Sequence, residues 1–474
     1  MVYLYEVHLL FVLKLTKTIK SGTIISERKL NNMDEIKINA LEKSLEQYEA
    51  DNKHAVLRHA MSKTPLSQVV RSQDQIADID NNFDINIKTL PVANQKASGR
   101  CWIFAALNVC REMLAKELKL TDFELSQSYI AFYDRLEKCN YLMEAIMEVI
   151  DKNYDDRTLM FLLDNGIGDG GQWDMFVSVV NKYGLCPKNA FPETSTSSGT
   201  RDTNVLINFN LRKFASDAKE IYKKRGLAPV KKLKKQVLDK IYFLLVDAYG
   251  VPPKTFDFEY TDEDKKYHLE TGFTPLSFKE KYFGSRLDNY VSIINAPTKD
   301  KAFNKAYTIK YLGNVVGGKQ VRHLNVEMKR LKELVLAQLK DNEIVWFGSD
   351  VGFYGDREQG IWDDRLFDYM AATDLDFKMD KGESLDYRAS AMNHAMCITG
   401  VAFRNKKPCK WKIENSWGSA NGYNGYYIMS ASWFDQFVYQ AVVDKKYLSE
   451  AELKAYDGKV IELKPWDPMG SLAD

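Results

Sequence analysis

The chain has 474 residues, 45% hydrophobic and 28% charged, close to globular averages and unlike disordered, collagen-like or multi-spanning membrane chains. Its 66 basic and 65 acidic side chains leave a formal net charge of +1, so no global field draws polyanions or anionic membranes and any basic surface must be local. The length allows one elaborated domain or two to three, and core size sets no limit.

Six cysteines (Cys101, Cys110, Cys139, Cys186, Cys397 and Cys409) are scattered with no Cys-x-x-Cys pair. That fits neither a disulfide framework nor a zinc ribbon and predicts reduced thiols in the cytoplasm. No His, Cys and acidic residues fall at ligand spacing, so neither a metal nor a cofactor is expected.

At the start, Met1 to Leu15 is apolar but broken by Glu6 and His8, without a basic start or a small-residue cleavage site. It is too short to span a membrane. Residues 1–33 are read either as an ordered or frayed N-terminal extension or as an upstream segment that belongs to no fold, with Met33 an alternative start. From Glu35 to Leu66 apolar residues such as Leu41, Leu45 and Tyr48 recur at helical spacing and predict one or two leading helices.

Next comes Asn94-Gln95-Lys96-Ala97-Ser98-Gly99-Arg100-Cys101-Trp102, then a long apolar face through Phe104, Leu107, Met113 and Leu118. Gly99 breaks the chain and Ser98 is the expected N-cap, which puts Cys101 in the first turn of a helix. Residues 34–208 are thus a scaffold and helical part carrying Gln95 and Cys101. Residues 209–337 are rich in lysine, with Lys231, Lys232, Lys234, Lys235 and Lys240 on one helical stretch, and read as an inserted, mainly helical region.

Strand-like runs return at Ile344 to Gly348, Ala395 to Phe403, Lys410 to Glu414 and Tyr426 to Met429, within a β-rich part 338–464 that carries His394 and Asn415. Helices early and strands late predict an α+β architecture. Residues 465–474 hold Pro465 and Pro468 and cannot form a regular helix, so an extended arm is expected.

The chemistry follows from Cys101. A thiol attacks an amide only as thiolate, and an ordinary thiol, pKa about 8.5, is mostly protonated at neutral pH. The amides and dipole of a helix N-terminus favour the anion, and a neighbouring imidazolium completes its stabilisation. Of six histidines, His394 stands out because it opens a strand after a loop; His8, His54, His59, His268 and His323 sit in charged or helical surroundings and read as surface or satisfied side chains. Asn415, just after another strand, can accept from one imidazole nitrogen while Trp417 shields the bond. Gln95, six residues before Cys101, can donate to an oxyanion together with the Cys101 N–H.

Taken together, Gln95, Ser98-Gly99-Arg100-Cys101-Trp102, His394 and Asn415-Ser416-Trp417-Gly418 resemble the papain-like cysteine peptidases. The secreted pattern has a disulfide-forming cysteine where Ser98 stands, and the Cys-to-His separation is about twice that of papain. Both departures, together with Asp169-Gly170-Gly171-Gln172-Trp173-Asp174-Met175, His394-Ala395-Met396 and Trp466-Asp467-Pro468-Met469-Gly470, resemble the bleomycin hydrolase and bacterial aminopeptidase C branch from about Asp34 onward.

The resemblance implies a papain-like fold with a helical left part, a β-barrel-like right part, a large helical insertion and a C-terminal arm in the cleft. It implies a cytoplasmic homohexamer that removes residues from peptides with a free N-terminus. Catalysis would fall to Cys101, His394, Asn415 and Gln95, and substrate binding to Gly170, Gly171, Trp417 and the terminal Ala473 and Asp474. Relatives commonly end in Ala, so Asp474 is an extra residue. Amidase action on bleomycin-like drugs, endopeptidase action and a nucleic-acid-binding relative using the Lys231 to Lys240 cluster are the alternatives; for the cluster the plain reading is a solvated helix face.

Overall fold

The computed structural model describes residues 34–77 and 79–472 and divides the chain into two compact units, 1–70 and 71–474. The apolar N-terminal run lies outside the described residues. In the first unit the helical periodicity gives helices Ile38–Glu49 and Asn52–Met61, the second capped by Asp51, whose carboxylate accepts the Lys53 amide at 2.8 Å. Neither helix buries a residue, and Ile38, Leu41, Leu45 and Val56 are exposed.

The second unit packs helices on one large sheet. Its strand order is Ile461–Leu463, Lys305–Ile309, His323–Asn325, Tyr290–Ile294, Val438–Asp444, Val345–Ser349, His394–Arg404, Lys407–Glu414, Tyr426–Ser430, Ile361–Trp362 and Gly355–Asp356, with Ile85–Asn86 paired separately to His394–Arg404. All four predicted strands are present within a residue or three of their expected ends. The part expected to be barrel-like is an open sheet: among the described residues its two end strands pair with one neighbour each.

The lysine-rich stretch 209–337 holds most of helix Arg201–Arg225, then Leu227–Tyr249 and Pro275–Tyr282, with a turn at Gly226 (φ +72°) between the first two. It also supplies strands Tyr290–Ile294, Lys305–Ile309 and His323–Asn325 to the main sheet, an element type the sequence reading did not assign there. Tyr290–Ile294 is buried on both faces, Ser292 included, and such a strand lacks the alternation that marks a half-exposed one.

Helix Cys101–Leu118 lies against this sheet and is almost wholly buried over its first eleven residues. The indole N–H of Trp346 donates to the Trp102 carbonyl at 3.2 Å and the Cys397 thiol to the Ala105 carbonyl at 3.2 Å, fixing the first two turns to the strands. The helix ends where Lys119 turns left-handed at φ +55°. Its N-cap is Arg100, with no side-chain cap, and not Ser98. The Ser98 hydroxyl instead donates to the Gln95 carbonyl at 2.6 Å and accepts from Arg100 Nε at 2.9 Å, so it organises the loop before the helix.

Candidate active site

Sheet register creates the site. Strands His394–Arg404 and Lys407–Glu414 run antiparallel with Cys397 opposite Glu414. Continuing that register brings Asn415 to Trp417 alongside Met396 to His394. Accordingly His394 Nε2 lies 2.9 Å from Asn415 Oδ1, and the Trp417 ring stacks on the imidazole with centroids 4.8 Å apart. The identity of Oδ1 is fixed because the Ser416 amide donates to it at 2.8 Å. An amide oxygen only accepts, so Nε2 carries the proton and Nδ1 is left for the reacting partner.

Gln95 is tied to the same segment. Its amide donates to the Ser416 carbonyl at 2.8 Å, its Oε1 accepts the Ser416 hydroxyl at 2.7 Å, and its Nε2 donates one hydrogen to the Ser98 carbonyl at 2.7 Å. Among the described residues the second Nε2–H has no acceptor. Gln95, Cys101, His394 and Asn415 are all buried, and the loop 95–100 joins the Asn415 segment directly to the first turn of the Cys101 helix.

Burial disfavours the charged imidazole and pushes His394 down to about 4; the Asn415 bond opposes this and the Arg357 charge adds to it. On its own the ring is therefore neutral at pH 7, and an imidazolium requires an anion beside it. Cys110, Cys139, Cys186 and Cys397 are buried free thiols, each pushed up by burial. They behave as small apolar side chains.

Gly170 and Gly171 stand in a clasp that sequence reading did not reveal. The Asp169 carboxylate accepts the Gly99 amide at 2.9 Å and Asn204 Nδ2 at 2.8 Å, and also meets Arg135 and the Thr200 hydroxyl. Burial pushes this carboxyl up, but Arg135 and the hydrogen bonds outweigh it and hold it at about 2. The Asp169 carbonyl accepts the Trp102 indole N–H at 2.7 Å, and the Gly170 carbonyl accepts Lys138 Nζ at 2.6 Å. A Cβ at position 171 would come within 2.5 Å of the Trp102 ring, which requires glycine there. The partners lie 31 to 70 residues away in sequence, so no local pattern could have named Arg135, Lys138 or Thr200.

Beside the clasp is a cavity of about 830 Å³ lined by Gly170, Met392, Asn393, Trp466, Ser471 and Leu472 among others. The C-terminal arm forms one wall. Arg157 stacks 3.8 Å over Trp466, Arg388 donates to the Trp466 carbonyl at 2.8 Å, and the buried Lys301 pairs with Asp467 at 2.9 Å. One 3-10 turn, Pro468–Gly470, interrupts the extended arm. Farther on, Gln172 Nε2 donates to the Ser471 carbonyl at 3.0 Å, next to Gly171. Ala473 and Asp474 lie outside the described residues.

His323 departs from its expected setting. It sits buried on a sheet strand, its Nδ1 2.7 Å from the Ser292 hydroxyl, and burial pushes it down to about 4.

Over most of its length the chain is similar to known proteins. The chain is 47% identical over 424 residues to an aminopeptidase C of Lactobacillus delbrueckii subsp. lactis, covering 89% of this chain and 94% of that one. It is 45% identical over 434 residues to an aminopeptidase C of Streptococcus thermophilus, covering 91% and 98%. The crystal structure of PepW from Lactobacillus rhamnosis HN001 (DR20) superposes with a TM-score of 0.90 at 43% identity, covering 93% of this chain and 99% of that one. The model of the Peptidase C1-like family matches residues 35–470, and the chain belongs to that family.

Proposed function

We propose that the protein is a cysteine aminopeptidase with Cys101 as nucleophile, His394 as general base and acid, and Asn415 and Gln95 as its supporting amides. The carrying observation is the His394–Asn415 bond under Trp417, which commits Nε2 and leaves Nδ1 to face a thiol. The Cys101 thiolate attacks the first peptide carbonyl, and the free Gln95 Nε2–H and the Cys101 N–H hold the oxyanion. His394 Nδ1 protonates the departing amine, leaving a thioester. A water that gives its proton to His394 then attacks the thioester, releasing the N-terminal residue and the thiol.

The exopeptidase character rests on the arm. Ser471 is bonded to Gln172 beside Gly171 and Leu472 lines the cavity, which leaves room for few residues before the scissile bond. The edge offered by Gly170 and Gly171 pairs with the extended substrate.

A homohexamer is part of this reading, supported by the apolar residues Ile38, Leu41 and Leu45 exposed on helix Ile38–Glu49. Sedimentation should give six times the chain mass. A cytoplasmic setting is supported by the buried free thiols of Cys110, Cys139, Cys186 and Cys397. The division at 34–208, 209–337, 338–464 and 465–474 serves as a functional map of scaffold, insertion, β-rich part and arm. Lys231, Lys232, Lys235 and Lys240 are exposed and Lys234 pairs with Glu144, the pattern of a solvated face, and no nucleic-acid role is proposed.

The test is hydrolysis of aminoacyl fluorogenic amides beside their N-blocked forms, by the intact protein and by Cys101→Ala. Cleavage of free-amine substrates alone, and only with Cys101, supports the reading. Equal cleavage of blocked substrates removes the arm's gating role, and activity that survives Cys101→Ala removes the mechanism.

A further inference from the structure

Arg357 lies at the tip of the tight turn between strands Gly355–Asp356 and Ile361–Trp362. The turn's backbone is held on every side: Tyr427 donates to the Arg357 carbonyl at 3.1 Å, the Gly422 amide to the Glu358 carbonyl at 3.0 Å, and the Gln359 amide to Asp356 Oδ1 at 3.0 Å. Asp356 is also taken by Arg71. Gly360, at φ +68°, sits so close to Gly422 that a Cβ there would lie 2.6 Å from its Cα. The turn's backbone is thus fixed, and the Arg357 side chain extends from it.

That side chain is exposed, and its guanidinium carbon stands 4.5 Å from the centroid of Trp417. No carboxylate among the described residues pairs with it. Its guanidinium also meets the Tyr427 hydroxyl, and with five N–H donors it keeps others for a carboxylate, which a guanidinium takes through two parallel hydrogen bonds.

The position relative to the reaction follows from what flanks Trp417. The cavity and the arm lie on the side of Gly170 and residues 388–393, where the substrate's N-terminal residue sits in the aminopeptidase reading. Trp417 does not line that cavity. It pairs instead with Asn94, beside Gln95, and covers His394. Since His394 protonates the leaving amine, the leaving peptide exits past His394 and Trp417, and so toward Arg357. Arg357 and His394 both lie against the Trp417 ring, 4.5 and 4.8 Å from its centroid.

We propose that Arg357 binds a carboxylate on the leaving side of the scissile bond, carried by the residue that follows it. The inference rests on the aminopeptidase reading, which says which side is which. Two sources share the chemistry, the C-terminal carboxylate of a dipeptide and an acidic side chain. The test therefore uses three substrates with one N-terminal residue: alanyl-alanine, alanyl-alaninamide and alanyl-glutamic acid α-amide.

Each is compared between the intact protein and Arg357→Gln, reading the ratio of kcat/KM for a carboxylate-bearing peptide to that for alanyl-alaninamide. Loss of the guanidinium should lower that ratio about tenfold, the size of one charge-assisted hydrogen bond, for the source that is recognised. Arg357→Lys, which keeps charge without the fork, should restore part of it. Equal effects on all three substrates would overturn the proposal. Calorimetric binding of the same peptides to Cys101→Ala, with and without Arg357→Gln, reads the ratio without turnover. A carboxylate preference there that vanishes with Arg357 supports the site even if the fluorogenic amides show no Cys101-dependent hydrolysis and the aminopeptidase reading falls; no such preference removes the site while leaving that reading intact.

Discussion

Asn415 Oδ1 accepts two hydrogen bonds at once, from His394 Nε2 at 2.9 Å and from the Ser416 amide at 2.8 Å. The second bond fixes the orientation of the amide, and the amide fixes the imidazole. Asn415→Ala removes both controls without removing a reacting group. The expected result is a fall in kcat of about 100-fold, the usual cost of a misplaced catalytic group, with a much smaller change in KM. Steady-state kinetics on an aminoacyl amide decides it; a KM effect alone would make Asn415 a binding residue.

The clasp gives a sharper pair of variants. Asp169→Ala leaves the buried Arg135 without its carboxylate and frees the Gly99 amide; breaking a buried pair in this way costs about 3–5 kcal/mol. Asp169→Asn keeps an acceptor for Gly99 and should cost less. Urea unfolding of the two variants should rank them in that order, with activity lost in the same order.

Gly171→Ala tests the close approach of the Trp102 ring. With the new Cβ 2.5 Å from the ring, either Trp102 or the 169–172 segment must shift, and overpacking of this kind costs about 1–3 kcal/mol. A lower urea midpoint with lower activity is expected; unchanged stability would mean that the segment yields freely.

Trp466→Ala should loosen the arm, because it removes the ring held between Arg157 at 3.8 Å and Phe161 at 6.3 Å. The enzyme should then gain cleavage of N-blocked peptides while retaining free-amine hydrolysis. Chromatographic analysis of a blocked peptide reads the gain.

His323 predicts a pH effect on stability. Its folded pKa is pushed down to about 4 from the ordinary 6.5, so between those values the unfolded chain binds the extra proton. Stability is then full above pH 6.5 and declines as pH falls toward 4. At pH 5 this ring accounts for about 2 kcal/mol of loss. Unfolding free energies at pH 7 and pH 5 should differ less in His323→Gln than in the intact protein.

Legibility followed range. Cys101, His394, Asn415 and Gln95 each sit at a boundary between a loop and a regular element, where glycine, polar residues and the onset of a period are visible within a few positions. Ser98 was misread as a cap because its hydroxyl has a nearer partner, the Gln95 carbonyl, that spacing alone does not reveal. Strand Tyr290–Ile294 was hidden by being buried on both faces. Asp169 and Arg357 were out of reach for a different reason. Each acts through partners brought from distant segments, Arg135 and Gly99 in one case and Trp417 in the other, and only the folded chain puts them together.

The clasp also settles what kind of chemical environment the site tolerates. A disulfide staple near a catalytic thiol forces a compromise, since a reductant strong enough to keep the thiol active also attacks the staple. Here a carboxylate joins the loop before Cys101 to the Asp169–Gly171 segment, an indole joins the Cys101 helix to it, and an ammonium from helix Gln127–Glu148 holds its Gly170 carbonyl. None of these groups exchanges electrons with a thiol buffer, and so the potential that maintains the nucleophile has no hold on the architecture around it.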